Sequence, residues 1–330
     1  MIRILGLLLT FIFSVSCEAN EIGASRVTRI FVTQFVQHPA LDMTVKGIVD
    51  GLNQHGYEMN KNLLLRRESA QGSSVLASQI ATKFVSQEPD LVVALGTVSA
   101  QSFGKYARDG KIKLVFSSIT DPLKSGLVDS MSRPGRSTAG VSNFVPLEPQ
   151  LELFKRLQPN LRKLGFIYNP SELNSTSLLK SLQILSPQFN LVVVPQAANK
   201  TSDIPQSTMK LIKHVDAIFI SNDNTALSAL GGIIKIANAH KKPVYVSDTD
   251  AVANGALAAL GPNQYKIGLQ TAELIVDILK GGELGHIPVQ SPDGVELYLN
   301  EDVAVMMGIQ IPDDLRGNAV KIIRGGDERQ

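Results

Sequence analysis

The chain has 330 residues, 44% of them hydrophobic and 19% charged, with 32 Lys and Arg against 30 Asp and Glu for a formal net charge of +2. That length is too great for one ordinary core and suits two domains, and the composition is that of a folded globular protein. No Lys/Arg run of the kind that tracks phosphates occurs, which leaves nucleic-acid binding without support, and a single Cys excludes intrachain disulfides and cysteine-based metal clusters.

At the amino terminus, Arg3, an apolar run over 4–13 and the small residues around Ser14, Ser16 and Ala19 follow the order of a secretory signal peptide. The run is shorter than the roughly 20 residues of a membrane span. Cys17 is a lipidation candidate, standing where a bacterial lipoprotein is cut and acylated, although Ser14 replaces the Leu usual three residues earlier. The other reading is cleavage after Ala19 with Cys17 removed. Both place the mature protein in the periplasm or another extracytoplasmic space, membrane-anchored in the first case.

The β-branched and aromatic stretch 29–36 predicts a strand, and His38-Pro39 precedes a helical period over 40–54 that ends at Gly56. Strands follow at 63–65, 90–95 and 113–116, with helices from Ser74 and from Thr97. The stretch 132–149, rich in Gly and Pro, reads as a connector. The second half repeats the scheme. Helices are expected at 151–157, 178–185, 207–213 and 225–239, and strands at 164–168, 191–194, 216–220 and 243–246. A long helix runs from the Gly261-Pro262-Asn263 turn to Lys280, and a strand at 295–299 and a helix at 302–307 close the fold. This order predicts an α/β protein with two doubly wound parallel-sheet lobes joined by a hinge. The expected division is a signal peptide at 1–19, lobe 1 at 26–143 plus 264–292, and lobe 2 at 144–263 plus 293–330. Ligands of open α/β sheets collect beyond the carboxyl ends of the strands, so two facing lobes make a closing cleft.

The run Leu91-Val-Val-Ala-Leu95 followed by Gly96-Thr97-Val98-Ser99 is a buried strand turning into a helix, whose free N–H groups and positive dipole end face the cleft. The same arrangement returns at Ala217-Ile-Phe-Ile220 and Ser221-Asn222-Asp223-Asn224. Catalytic sets are missing: no His pair has metal-ligand spacing, and no nucleophile elbow or phosphate-binding glycine loop occurs. Enzymatic chemistry, cofactors and bound metal are therefore not expected. What remains is a set of polar residues at strand ends: Gln34, Thr97, Ser99, Ser117, Ser118, Thr120, Asp121, Asn143, Asn169, Ser171, Ser221, Asn222, Asp223, Asn224, Ser247, Asp248 and Asn263. Hydroxyls at a helix mouth suit a carboxylate, and Asp223 or Asp248 suits an ammonium, a combination that fits an amino acid. A sugar site usually adds stacked aromatics, and the chain has no Trp. Tyr168 ends a strand, where lining the cleft and packing in the core are both open.

The chain resembles the ABC transporter substrate-binding proteins that include the tryptophan- and aromatic amino-acid-binding lipoproteins. The resemblance runs through Thr33-Gln34-Phe35-Val36-Gln37-His38-Pro39-Ala40-Leu41-Asp42, Gly47-Ile-Val-Asp-Gly51-Leu52 and Ala70-Gln71-Gly72. It continues in Thr120-Asp121-Pro122, Gly140-Val-Ser-Asn143, Ile167-Tyr168-Asn169, Asp223-Asn224-Thr225 and Gly255-Ala256-Leu257-Ala258. It implies a type I periplasmic-binding-protein fold with three connections between lobes, an amino acid as ligand (aromatic in several relatives) and an ABC permease as partner. It also implies that Thr97, Val98 and Ser99, with Ser118 or Thr120, meet the ligand carboxylate while Asp223 and Asn224 contact it from lobe 2. Two departures stand out: Thr97-Val-Ser-Ala-Gln101 replaces the common Thr-Pro-Ala-Ala-Gln, and Gln37 stands where an acid is frequent. His38 either lines the pocket or is a cap-region residue held by neighbouring backbone. The candidate ligand-binding set is thus Gln34, His38, Thr97, Val98, Ser99, Ser118, Thr120, Asn143, Tyr168, Asn169, Asp223, Asn224 and Asp248. The alternative function is a periplasmic sensing module that passes its bound state to a membrane signalling protein; an exported hydrolase is a third.

Overall fold

The computed structural model describes residues 26–135 and 137–325. The signal region and Cys17 lie outside the described residues. The first half alternates β1 (Thr28–Gln34), α1 (Pro39–Gln54), β2 (Leu63–Ser69), α2 (Ser74–Ser86), β3 (Leu91–Leu95), α3 (Thr97–Arg108), β4 (Leu114–Ile119) and β5 (Thr138–Ser142). Its strands form a parallel sheet in the order β2-β1-β3-β4-β5.

The second half continues with α4 (Leu147–Leu157), β6 (Lys163–Tyr168), α5 (Leu173–Leu185), β7 (Val192–Ala197), α6 (Ile204–Leu211), β8 (Ala217–Ile220), α7 (Asn224–Ser228), α8 (Leu230–Ala239), β9 (Val244–Val246) and β10 (Ala258–Gly261). Then come α9 (Gln264–Leu279), β11 (Glu296–Asn300), α10 (Glu301–Met307), α11 (Asp313–Asn318) and β12 (Lys321–Ile323). The second sheet has the order β12-β11-β10-β9-β8-β6-β7. These are two α/β lobes of the periplasmic-binding-protein type.

Strand side chains alternate between faces, so each sheet carries two cores. Ile30, Val32, Leu91, Val93 and Leu95 pack with α1 and α9 on one face of the first sheet. Phe31, Val92, Ala94 and Phe116 pack with Phe84 and Phe103 of α2 and α3 on the other. Burying each such Phe or Leu is worth roughly 1.5–3 kcal/mol. The second sheet is built alike, with Phe154 stacked on Tyr245 on one face and Ile218, Ile220 and Ile233 on the other.

The chain passes between the lobes after β5, between β10 and α9, and before β11. α9 belongs with the first sheet because its backbone meets that of α1. A Cβ on Gly47 would lie 2.2 Å from Tyr265 O, and one on Gly268 2.2 Å from Thr44 O. Only glycine permits that approach, which brings Gln264 at the start of α9 against Thr44 and Ser118.

Several elements differ from expectation. The stretch read as a connector at 132–149 contains β5, whose Thr-Ala-Gly-Val-Ser sequence lacks strand-like bulk. Gly140 is needed there because a Cβ would sit 2.3 Å from the Phe116 ring. α4 begins at Leu147 rather than 151, since Pro149 falls in the first turn, where its missing N–H has no intrahelical role. β7 continues through Pro195, tolerated on a sheet edge. The helix expected over 225–239 breaks at Ala229 into α7 and α8. β11 runs antiparallel to β10, because β10 leaves toward the first lobe and β11 returns from it. α11 and β12 extend the fold beyond the expected last helix.

Candidate functional site

The five residues of β3 are fully buried, and Gly96, at φ 80°, turns the chain into α3. The first intrahelical bond is donated by Ala100 N to Gly96 O at 3.1 Å, so the N–H groups of Thr97, Val98 and Ser99 precede the helical ladder and concentrate positive potential at the mouth. Ser99 Oγ is buried with no partner. Beside this mouth, Ser118 adopts a left-handed φ of 56° at a bulge between β4 and β5. Its Oγ lies 3.3 Å from Thr44 Oγ1 and 3.3 Å from Gln264 Oε1.

The corresponding mouth in lobe 2 is already filled. Glu172 is fully buried, and its carboxylate accepts from Asn224 N (3.0 Å), Thr225 N (3.0 Å), Thr225 Oγ1 (2.7 Å) and Asn224 Nδ2 (2.6 Å). Asp223 caps the same helix, accepting from Ala226 N and from Asn169 N, each at 2.6 Å. Burial, with the charge of Glu172 beside it, pushes the Asp223 carboxyl up to about 7.

The lobes meet across the cleft. Asn222 Nδ2 donates to Thr120 Oγ1 and Asn143 Oδ1, each at 3.3 Å. His38 Nε2 lies 3.3 Å from Asn224 Oδ1, and a Cβ on Gly96 would be 3.2 Å from that same oxygen. Between these contacts lies a small, largely enclosed pocket. Lobe 1 lines it with His38, Ala40, Leu41, Gly96, Thr97, Ser118, Thr120, Asn143 and Gln264, and lobe 2 with Asn174, Asn222, Asn224, Leu227 and Asp248. A second, more open cavity adjoins it and shares His38, Ala40, Leu227 and Asp248. Asp248 is buried there, and its Oδ1 receives only a 3.3 Å contact from Asp250 N. Burial, with the charge of Asp250 nearby, pushes its carboxyl up to about 7. Burial drives His38 down to about 4, so its imidazole is neutral at ordinary pH.

Of the residues expected from the sequence, His38, Thr97, Ser118, Thr120, Asn143, Asn224 and Asp248 come together in this pocket. The others lie elsewhere. Gln34 is held by Arg67, whose Nη2 donates to Gln34 Oε1 at 2.7 Å. Val98 and Tyr168 pack against the cores, and Ser99 is buried on α3 and is not among the residues that line the pocket. Asn169 donates to Thr225 Oγ1 at 2.9 Å within lobe 2. Asp223 is turned into that lobe with both oxygens on backbone N–H groups, leaving Asp248 as the pocket's carboxylate. His38 makes no side-chain cap bond to α1.

Sequence reasoning passed over Glu172, Asn174, Gln264 and the apolar Ala40, Leu41 and Leu227. Asn222 stood only in the wider set of strand-end polar residues. Glu172 follows Asn169-Pro-Ser at a strand end, the one local signal it offers. No Phe or Tyr among the described residues lines the pocket. Among the described residues, no group of three or more His, Cys, Asp or Glu is placed to hold a metal ion, and no helix is long and apolar enough to cross a membrane.

Comparison with known proteins adds three findings. The family model for ABC transporter substrate binding proteins matches residues 29–323. A tyrosine-binding protein of Clostridioides difficile is 32% identical over 312 residues, 94% of this chain and 89% of that protein. Among solved structures, an ABC domain from Streptococcus pneumonia in complex with L-Trp is 31% identical with a TM-score of 0.85, covering 90% of this chain and all of that one. A ligand-free, open substrate-binding protein from Clostridium difficile is 32% identical over 90% of this chain and 99% of that one, yet its TM-score is 0.65. At nearly equal identity the chain superposes better on the L-Trp complex, in keeping with the hydrogen bonds that hold its own cleft shut.

Proposed function

Because the chain belongs to the ABC transporter substrate-binding protein family, we propose that it works outside the cytoplasm, closes on an aromatic amino acid and delivers it to a membrane permease. Its relatives are binding proteins rather than enzymes. The observation that carries the reading is the pairing of opposite chemistries across one closed pocket. The open mouth of α3 offers N–H donors to a carboxylate, and Asp248 from the other lobe offers a carboxylate to an amine. Ala40, Leu41 and Leu227 supply the apolar surface for a side chain. The aromatic preference is supported by relatives described as binding tyrosine and L-Trp.

Binding that favours the closed form shifts the population of lobes toward it. The test is a thermal-shift screen of the purified protein against the amino acids, in which ligand at about 100 times its Kd stabilises by about 2.7 kcal/mol. Stabilisation by L-tyrosine or L-tryptophan is expected. A response to sugars or nucleosides alone would refute the ligand assignment.

A further inference from the structure

Two residues that line the pocket carry a buried polar atom without a partner, Asn174 (Oδ1) and His38 (Nδ1), and a chain of hydrogen bonds decides the character of the second. Glu172, a carboxylate that only accepts, takes a hydrogen bond from Asn224 Nδ2 at 2.6 Å. That contact fixes which end of the Asn224 amide is which, so its Oδ1 faces His38 Nε2 at 3.3 Å. An oxygen there requires the proton on Nε2. His38 Nδ1 is then a lone-pair acceptor, buried without a partner, on a residue that lines both the closed pocket and its open neighbour. Leaving such an atom unmade is costly, so a ligand that satisfies it gains accordingly.

Asp248 lines the same two cavities from the opposite lobe. At this neck, where the two cavities share their lining, each lobe contributes a residue that bears an acceptor, and two acceptors call for a donor group. Resting on the amino-acid reading above, we propose that the ligand's α-ammonium sits in this neck, donating to Asp248 and to His38 Nδ1, with Glu172 acting through Asn224 as the positioning residue that sets the His38 tautomer. An ammonium has three N–H donors and can bridge the lobes in this way, whereas a hydroxyl has one. Burial keeps His38 from becoming a competing cation, since its imidazolium forms only below about 4.

The experiment titrates L-tyrosine and L-tryptophan, and their amine-free analogues desaminotyrosine and indolepropionate, into wild type, His38→Gln, His38→Asn and Glu172→Gln. Heteronuclear NMR of the imidazole nitrogens reads the tautomer. In the wild type Nε2 should carry the proton and Nδ1 should be bare. His38→Gln, which keeps a polar group toward Asn224 but none at the δ position, should weaken the amino acids by about tenfold or more, about 1.4 kcal/mol, and the analogues by less than about threefold. His38→Asn restores a carbonyl near the δ position and should recover part of the loss. Glu172→Gln lets Asn224 turn over, so the proton should move toward Nδ1 with the same selective loss. A protonated Nδ1 in the wild type, or equal losses on amino acids and analogues, overturns the proposal, the latter being the result for a water or a purely structural His38. A wild type that binds none of the four compounds refutes the functional reading itself and the ammonium assignment with it.

Discussion

The two lobes each run a buried strand into a helix at the cleft, and they use the resulting helix mouths in opposite ways. At α3 the N–H groups of Thr97, Val98 and Ser99 stand ahead of the first helical bond, and Thr97 lines the pocket. At α7 the N–H groups of Asn224 and Thr225 are taken by Glu172, a carboxylate from the protein itself. The same local electrostatics thus leave a helix mouth open to the pocket in one lobe and complete the core of the other. A repeated strand–turn–helix does not imply a repeated binding site. What distinguishes the two is whether a carboxylate from a neighbouring loop reaches the mouth first.

Removing the internal carboxylate should break the comparison most strongly. Glu172→Ala leaves the backbone donors of Asn224 and Thr225 buried and unpaired, each at roughly 1–3 kcal/mol, so about 3 kcal/mol of unfolding free energy should be lost in urea denaturation. Thr97→Ala at the open mouth removes only a side chain and should stay within about 0.5 kcal/mol.

Asp248→Asn should next separate binding from stability. Affinity for L-tyrosine should fall by at least about tenfold, or about 1.4 kcal/mol, in calorimetric titration. Asp223→Asn, whose oxygens cap α7 instead of facing the pocket, should lower stability more than affinity. Because the folded-state pKa of Asp248 is raised from 3.8 to about 7, its contribution to stability is fully present below the unfolded value and lost as pH rises through about 7. The Asn variant should therefore match wild type in acid and exceed it above neutrality in thermal melts.

The same group gives a smaller pH effect on binding. An ammonium needs Asp248 ionised, so affinity should tighten from about pH 6 to about pH 8, with proton release on binding below neutrality. His38, already neutral above about 4, contributes nothing to that window. Titrations in buffers of different ionisation enthalpy measure the released protons.

The latch between lobes should show the smallest effect. Asn222→Ala removes the bonds to Thr120 and Asn143 and should cost about 1 kcal/mol of closure, near fivefold in affinity. The gain in dissociation rate should exceed any loss in association rate, which stopped-flow fluorescence would show.

Much of this architecture was legible in the chain itself. Five apolar residues ending in Gly96-Thr97 marked β3 and the mouth of α3, and alternating β and α periods marked both sheets. β5 was hidden because Gly140 must be small to lie on Phe116, which removes the bulk that signals a strand. In the pocket, residues at strand ends such as Ser118, Thr120, Asn143 and Asp248 were found, whereas Gln264 was missed because its place depends on two glycines joining α1 and α9.

Local sequence thus determined where most strands and helices lie and that α3 opens after Gly96, since these follow from φ/ψ limits and periodicity within a few residues. Which mouth stays open, which aspartate lines the pocket and which nitrogen of His38 faces Asn224 were decided only in the tertiary structure. The reason is distance along the chain. Glu172 meets Asn224 across 52 positions and His38 meets Asn224 across 186. The first of these contacts exists only once the second sheet has formed, and the second only once the lobes have closed.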